Sequence, residues 1–191
     1  MINNFLRFAV LSLTFCFFSV APSFSTENQF PDSMVYQETK LLLNGKGTRT
    51  MFFAKIYHSG LYLSSPNKNA QEILDADKAM AVRLEVASPM LSSDKMQGAF
   101  TASITKSTNG DTQSISSQID KLLNSFNDKV SVGDIFDFIY IPNTGITVLK
   151  NEEQINSISG LEFKKAFFEV WLSDNPVQEN LKKAMLGGQT R

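Results

Sequence analysis

LLLNGKGTRTMFFAKIYHSGLYL, residues 41–63, decides how this chain folds: an apolar run, a pair of glycines, then a long segment dense in aromatic residues. Gly45 and Gly47 supply the permissive backbone in which a strand ending near Leu43 can reverse or bulge before the next begins. Arg49 then enters the second strand. From Thr50 to Leu63 the residues are β-branched and aromatic with no proline, which predicts one long strand. Apolar groups fall on both of its faces, so that strand is expected to be central and covered on both sides.

Outward from this stretch, composition narrows the class. A chain of 191 residues, 42% hydrophobic and 19% charged, fits one globular domain with a real core. Its 18 basic and 19 acidic side chains nearly cancel and no basic run stands out, so a nucleic-acid partner is not expected. Residues 1–25 read as a signal peptide. Arg7 is the positive charge, Phe8 to Ala21 the apolar stretch, and Ser23 and Ser25 the small residues before a cut. The stretch falls short of the roughly 20 residues a membrane-crossing helix needs. Cleavage near Ser25, no retained anchor, and export to a periplasm or the outside are the expectation, leaving a single domain over residues 26–191. The sole cysteine, Cys16, sits in the leader behind a Phe15 too bulky for a lipobox. The mature chain is therefore expected to carry no disulfide, thiol chemistry or thiolate metal site.

Met34 to Leu43 read as the first strand, and Ser64 to Asn67 break the aromatic one. Asn69 and Glu72 make a capping box for a short helix with Ile73 and Leu74. Met80, Val82, Leu84 and Val86 alternate with Ala81, Arg83 and Glu85, a strand with one buried face. Two helices follow. The first carries Met96, Ala99, Phe100, Ser103 and Ile104, with Gly98 costing it roughly 1 kcal/mol relative to alanine. The second carries Ile115, Ile119, Leu122 and Phe126. Ile135 to Ile141 and Ile146 to Leu149 form a hairpin about Pro142 to Gly145. Ser159 and Glu162 make another capping box, stapled by Ile158 and Phe163, for a helix with Phe163, Ala166, Phe167, Val170 and Trp171 on one face. Asn175 and Pro176 open a last helix carrying Val177, Leu181 and Met185, closed by Gly187 and Gly188. Strands and helices are segregated, which predicts an α+β fold: an antiparallel sheet with helices packed mainly on one face.

The chain holds no GxSxG elbow, HExxH, P-loop or complete dinucleotide fingerprint, so no cofactor or metal is expected. His58 is the only histidine, and a lone strand histidine is more often structural than catalytic. Tyr36, Tyr57, Tyr62 and Tyr140 read as packing residues unless a phenol turns into a pocket.

NGKGTRT followed by KIYHSGLYL resembles the signature of the chalcone isomerase superfamily, in particular its exported bacterial branch. LEFKKAFFEVWLSDNPVQENLKKAMLG resembles that family's closing helix, turn and helix. The resemblance implies an open-faced β-sandwich and gives Arg49 a role. In the plant enzymes the matching arginine stabilises negative charge developing during an intramolecular oxa-Michael ring closure; in fatty-acid-binding members it grips a carboxylate. Both ask a planar, permanently charged fork to hold an oxyanion by two parallel hydrogen bonds. The competing account is an arginine ion-paired to Glu38, Glu85 or Asp137.

Other positions depart from the plant pattern. Tyr57 stands where those isomerases have a threonine, and Val170 replaces a second hydroxyl-bearing residue. The helical region that supplies the family's tyrosine and asparagine, here Ser92 to Asn127, has no tyrosine, and which of Asn109, Asn124 and Asn127 corresponds to that asparagine stays open. In an unbroken strand Arg49 and Tyr57 are also about 26 Å apart, too far for one small flavonoid unless the strand bends.

Three functions remain open. One is a non-catalytic binder of a fatty acid or similar amphipathic carboxylate, with Arg49 and Tyr57 binding the ligand and Met51, Phe53, Phe163, Phe167 or Trp171 as tail contacts or core. Another is an isomerase or intramolecular lyase with Arg49 as the catalytic residue and a flavonoid-like substrate. The third is a structural or protein-interaction domain whose cleft its own side chains fill.

Overall fold

The computed structural model describes residues 29–188; the signal-peptide expectation for residues 1–25 lies outside them. The aromatic segment is not one strand. β2 (Thr39–Met51) and β3 (Ala54–Leu63) are the arms of a hairpin that reverses at Phe52 and Phe53. The long strand expected over residues 50–63 is thus corrected to a turn that no turn residue announces. Phe52 takes a φ of +55°, a conformation two-residue hairpins usually give to glycine or asparagine.

Gly45 and Gly47 do not make the reversal either. They lie within β2, where the register slips between Leu43 and Gly45. The last helix, α5 (Glu179–Met185), lies directly on them. A Cβ on Gly47 would stand 2.8 Å from that of Ala184, and one on Gly45 would collide with the Ala184 carbonyl oxygen. Upstream, the single strand expected over residues 34–43 is instead β1 (Ser33–Tyr36) and the start of β2, folded back at Gln37, whose φ is +52°.

β4 (Met80–Val86), β5 (Ile135–Ile141) and β6 (Gly145–Lys150) form where the alternation places them, and β7 (Glu153–Ile158) completes the sheet. The seven strands lie in chain order, each antiparallel to the next. Laid flat, the outer strands would be about 29 Å apart. Yet the Tyr36 hydroxyl on β1 donates to Gln154 Oε1 on β7 at 3.4 Å, so the sheet curls into a half-barrel.

The helices are α1 (Ala70–Asp75), α2 (Ser93–Ser107), α3 (Ser116–Asn124), α4 (Leu161–Leu172) and α5. All five bury their apolar stripes on one side of the sheet, as an α+β fold requires. The core there is an aromatic cluster in which Phe167 packs on Phe100, Phe138, Phe163, Phe168 and Trp171. The other side, inside the curl, carries among the described residues a smaller buried cluster of Met34, Leu41, Tyr62, Ala81 and Ile139. The two-sided cover expected of β3 is therefore helices on one face and the short 29–32 segment on the other, where the Tyr62 hydroxyl donates to the Pro31 carbonyl.

Asn69 caps α1 as expected, accepting from the amides of Gln71 and Glu72 while its own amide donates to Glu72. The capping box at Ser159 does not form. Gly160 is the N-cap of α4, and Glu162 instead accepts from the Ser114 hydroxyl at 2.7 Å. Nor does the last helix open at Asn175 and Pro176; these residues and Val177 form a loop before it.

Candidate functional site

The hairpin register builds the site. Arg49 on β2 and Tyr57 on β3 are direct cross-strand partners, and the guanidinium carbon lies 5.9 Å from the centre of the Tyr57 ring. The turn at Phe52 and Phe53 thereby removes the separation of about 26 Å that a straight strand imposes. A register shift follows Arg49, and Gln178 fastens the strand beyond it. The Thr50 amide donates to Gln178 Oε1 at 2.9 Å, and Gln178 Nε2 donates to the Thr50 hydroxyl at 3.3 Å.

Tyr57 is buried against α4. Its oxygen accepts a hydrogen bond from Trp171 Nε1 at 3.1 Å. Burial pushes the phenol's pKa up, partly offset by the neighbouring Arg49 charge and the Trp171 bond, so the group is neutral at physiological pH. Indole N–H is only a donor, so the phenol's own hydrogen is not spent on Trp171, and no other bond among the described residues takes it.

Arg49 is half-buried and makes no ion pair among the described residues. Asp137, one of its three expected structural partners, is held by Arg83 through two hydrogen bonds of 2.7 and 2.8 Å. Glu85 shares with Arg83 the opposite face of β4 from Leu84, and neither Glu85 nor Glu38 forms an ion pair among the described residues.

His58 is on the far face of β3, beside Thr48, with 2.7 Å between Thr48 Oγ1 and His58 Nδ1. It lies outside the site. The remaining tyrosines are structural: Tyr36 and Tyr62 make the bonds described above, and the Tyr140 hydroxyl donates to Asp77 at 2.6 Å.

Between sheet and helices is a small cavity. Arg49, Tyr57 and Leu84 form its floor, Val170 and Trp171 of α4 one wall, and Met96, Ala99, Phe100 and Ser103 of α2 the other, with Leu91 and Val177 at the ends. Its volume is about 20 Å³, room for little more than a water molecule. The polar groups facing it are a guanidinium and two hydroxyls. With no carboxylate among them, the set suits an anion. A larger hollow of about 840 Å³ lies inside the curl. There the cation, Arg83, is ion-paired to Asp137 and bonded to the Gln29 carbonyl, and Asp32 and Glu152 add negative charge.

Of the expected tail contacts only Trp171 lines the small cavity. Phe163 and Phe167 are sealed in the core, while Met51 and Phe53 are exposed at the hairpin tip. The α2 wall was not singled out as a site, although its helical spacing of Met96, Ala99, Phe100 and Ser103 marked the face that turns inward. Among the described residues no three His, Cys, Asp or Glu side chains cluster closely enough to hold a metal.

A family model described as chalcone isomerase-like matches residues 25–187. In three dimensions the chain is similar to the crystal structure of an Arabidopsis thaliana fatty-acid binding protein, with a TM-score of 0.65 and 15% sequence identity, over 82% of this chain and 90% of that one. At that identity the likeness is one of fold. None of the curated proteins compared matches the sequence. The chain belongs to the chalcone isomerase-like family.

Proposed function

We propose that this chalcone isomerase-like domain binds a fatty acid or a similar small amphipathic carboxylate, without transforming it. The observation that carries this reading is Arg49: a half-buried guanidinium with no acidic partner among the described residues, beside a phenol whose proton is still available. A carboxylate accepts from both. The charge-assisted fork supplies most of the hold and the phenol fixes orientation. The fatty-acid binding protein of the same fold supports the ligand class.

The tail sets a second requirement. Cavities that enclose small organic ligands run to about 300–1,000 Å³, so a void of about 20 Å³ admits an acyl chain only if a wall moves. α2 is the wall placed to move, because only three of its fifteen residues, Met96, Phe100 and Ile104, are buried. Displacing its Met96 and Phe100 side chains opens the space between sheet and α4. The domain is proposed to act after export, in keeping with the leader pattern of residues 1–25 and the resemblance to the exported branch.

A ring-closing isomerase is the second reading. One observation favours it: with Arg49 and Tyr57 as cross-strand neighbours, a single flavonoid-sized molecule can touch both. Against it stands Val170, which brings no hydroxyl to the cavity.

Trp171 is the chain's only tryptophan and lines the cavity, so its fluorescence reports occupancy. A long-chain fatty acid should shift that emission saturably, its methyl ester should bind far more weakly, and a chalcone should cyclise no faster than in buffer. Equal binding of acid and ester removes the carboxylate grip. Accelerated cyclisation replaces the binder with the isomerase, and no response to either leaves a domain whose cleft is filled by its own side chains.

A further inference from the structure

Among the described residues eight large apolar side chains are exposed, and five of them lie at one end of the sheet, Met51, Phe52 and Phe53 at the tip of the β2–β3 hairpin and Met90 and Val132 in two loops. The loops adjoin one another. The segment carrying Met90 leaves β4 beside the start of β3, where the Ala87 amide donates to the Ile56 carbonyl at 3.0 Å. The loop carrying Val132 is tied to the end of β4, where the Gly133 amide donates to the Val86 carbonyl at 2.8 Å. The hairpin tip is the extreme case, with Phe52 91% and Phe53 104% exposed. Two adjacent phenylalanines fully in water forgo the burial that normally places such side chains inside. Phe52 also occupies a left-handed backbone position, so neither packing nor turn chemistry accounts for the pair.

We propose that this tip docks the protein on a lipid bilayer, with Phe52 and Phe53 inserted among the acyl chains. A two-residue turn is convex and narrow. It buries both rings only in a medium that closes around it, which a fluid bilayer does and a flat protein surface does not. A cation stands beside the rings. Lys55 is exposed one residue beyond Ala54, placing positive charge where lipid phosphates lie. Beyond the tip, Asp94 and Asp128 are each followed in sequence by a lysine, Lys95 and Lys129, and Asp134 is paired with Lys150 at 3.2 Å, so attachment rests on the aromatic pair with a smaller electrostatic share. The tip is also continuous with the cavity. β2 carries both Arg49 and the turn, and the loop that exposes Met90 buries Leu91 in the cavity end. A docked tip thus holds the Leu91 end of the cavity towards the membrane surface, where amphipathic carboxylates partition. This last step rests on the proposed ligand class; the docking does not.

Flotation with vesicles tests it, using the soluble protein purified from the cells that make it and its Phe52→Ser/Phe53→Ser double variant. Phosphatidylcholine vesicles should carry the wild type upward, and the double variant should bind at least tenfold more weakly. Its thermal stability and its Trp171 response to fatty acid in vesicle-free buffer should be unchanged, because neither ring packs against the fold. Adding phosphatidylglycerol should strengthen wild-type binding, and Lys55→Glu should cancel that gain alone. Vesicle binding that survives the double substitution overturns the proposal. So does a wild type that ignores vesicles, including one that light scattering shows to be a dimer dissolved by the double variant, which would assign the tip to a second copy of the chain. Loss of the fatty-acid response with intact flotation refutes the ligand reading and leaves the docking standing.

Discussion

Helices α4 and α2 face each other across the candidate site, and the chain treats them differently. α4 buries eight of its twelve residues. Phe163, Phe167, Phe168 and Trp171 interlock with the aromatic core, and Lys164, fully enclosed, donates to the carbonyls of Ile73, Leu74 and Ala76 at 2.7–3.1 Å. Burial pulls the pKa of that ammonium down to about 8, and the three carbonyls tie the helix to the end of α1. α2 is longer, yet buries only three of fifteen residues and holds a glycine at its middle. One wall of the cavity is core over most of its surface; the other reaches the core through Met96, Phe100 and Ile104 alone, with Phe100 packed on Phe126, Phe138, Phe167 and Trp171. Ligand entry, on this account, is a property of α2, and the position of Trp171 and the Tyr57 phenol is a property of α4.

The largest effect expected from this contrast is at Phe167, which is sealed on α4 among five aromatic neighbours. Phe167→Ala should destabilise the domain by about 3–5 kcal/mol in urea unfolding. A loss below about 1 kcal/mol would mean that α4 can shift to fill the gap and is no more fixed than α2. At the other extreme is Gly98 on α2, where an added Cβ meets nothing within 4 Å. Gly98→Ala should stabilise by about 0.5–1 kcal/mol through helix propensity alone, with fatty-acid affinity held. Lost affinity alongside that gain would show that α2 opens by melting around the glycine instead of moving as a unit.

The regularly patterned parts of the fold were legible in the sequence, and the exceptions have specific causes. β4, the β5–β6 hairpin and the face of α4 follow apolar periodicity that tertiary packing then uses. β7 was missed because EQINSI is an exposed edge strand with only Ile158 fully buried, so it shows no alternation. The hairpins at Gln37 and Phe52 were missed because non-glycine residues hold their positive φ values, while the glycines that looked like a turn serve the close approach of α5. That misplaced reversal hid the site's geometry. Resemblance pointed to Arg49 and Tyr57, but only the true position of the turn makes them neighbours. The α2 wall was visible as a stripe and unreadable as a wall, since periodicity says which face turns inward and not what it meets.

Calorimetric titration of a long-chain fatty acid into wild type, Arg49→Lys and Arg49→Ala tests the central claim most directly. Arg49→Ala should keep the fold, checked by circular dichroism, and weaken acid binding by about 2–5 kcal/mol, since it strips the carboxylate of its charge-assisted partner. Arg49→Lys should recover only part of that, because an ammonium lacks the planar fork. Affinity unchanged in a folded Arg49→Ala protein would contradict the account, and an Arg49→Ala chain that unfolds, with no acid bound by the wild type, would make Arg49 a structural residue.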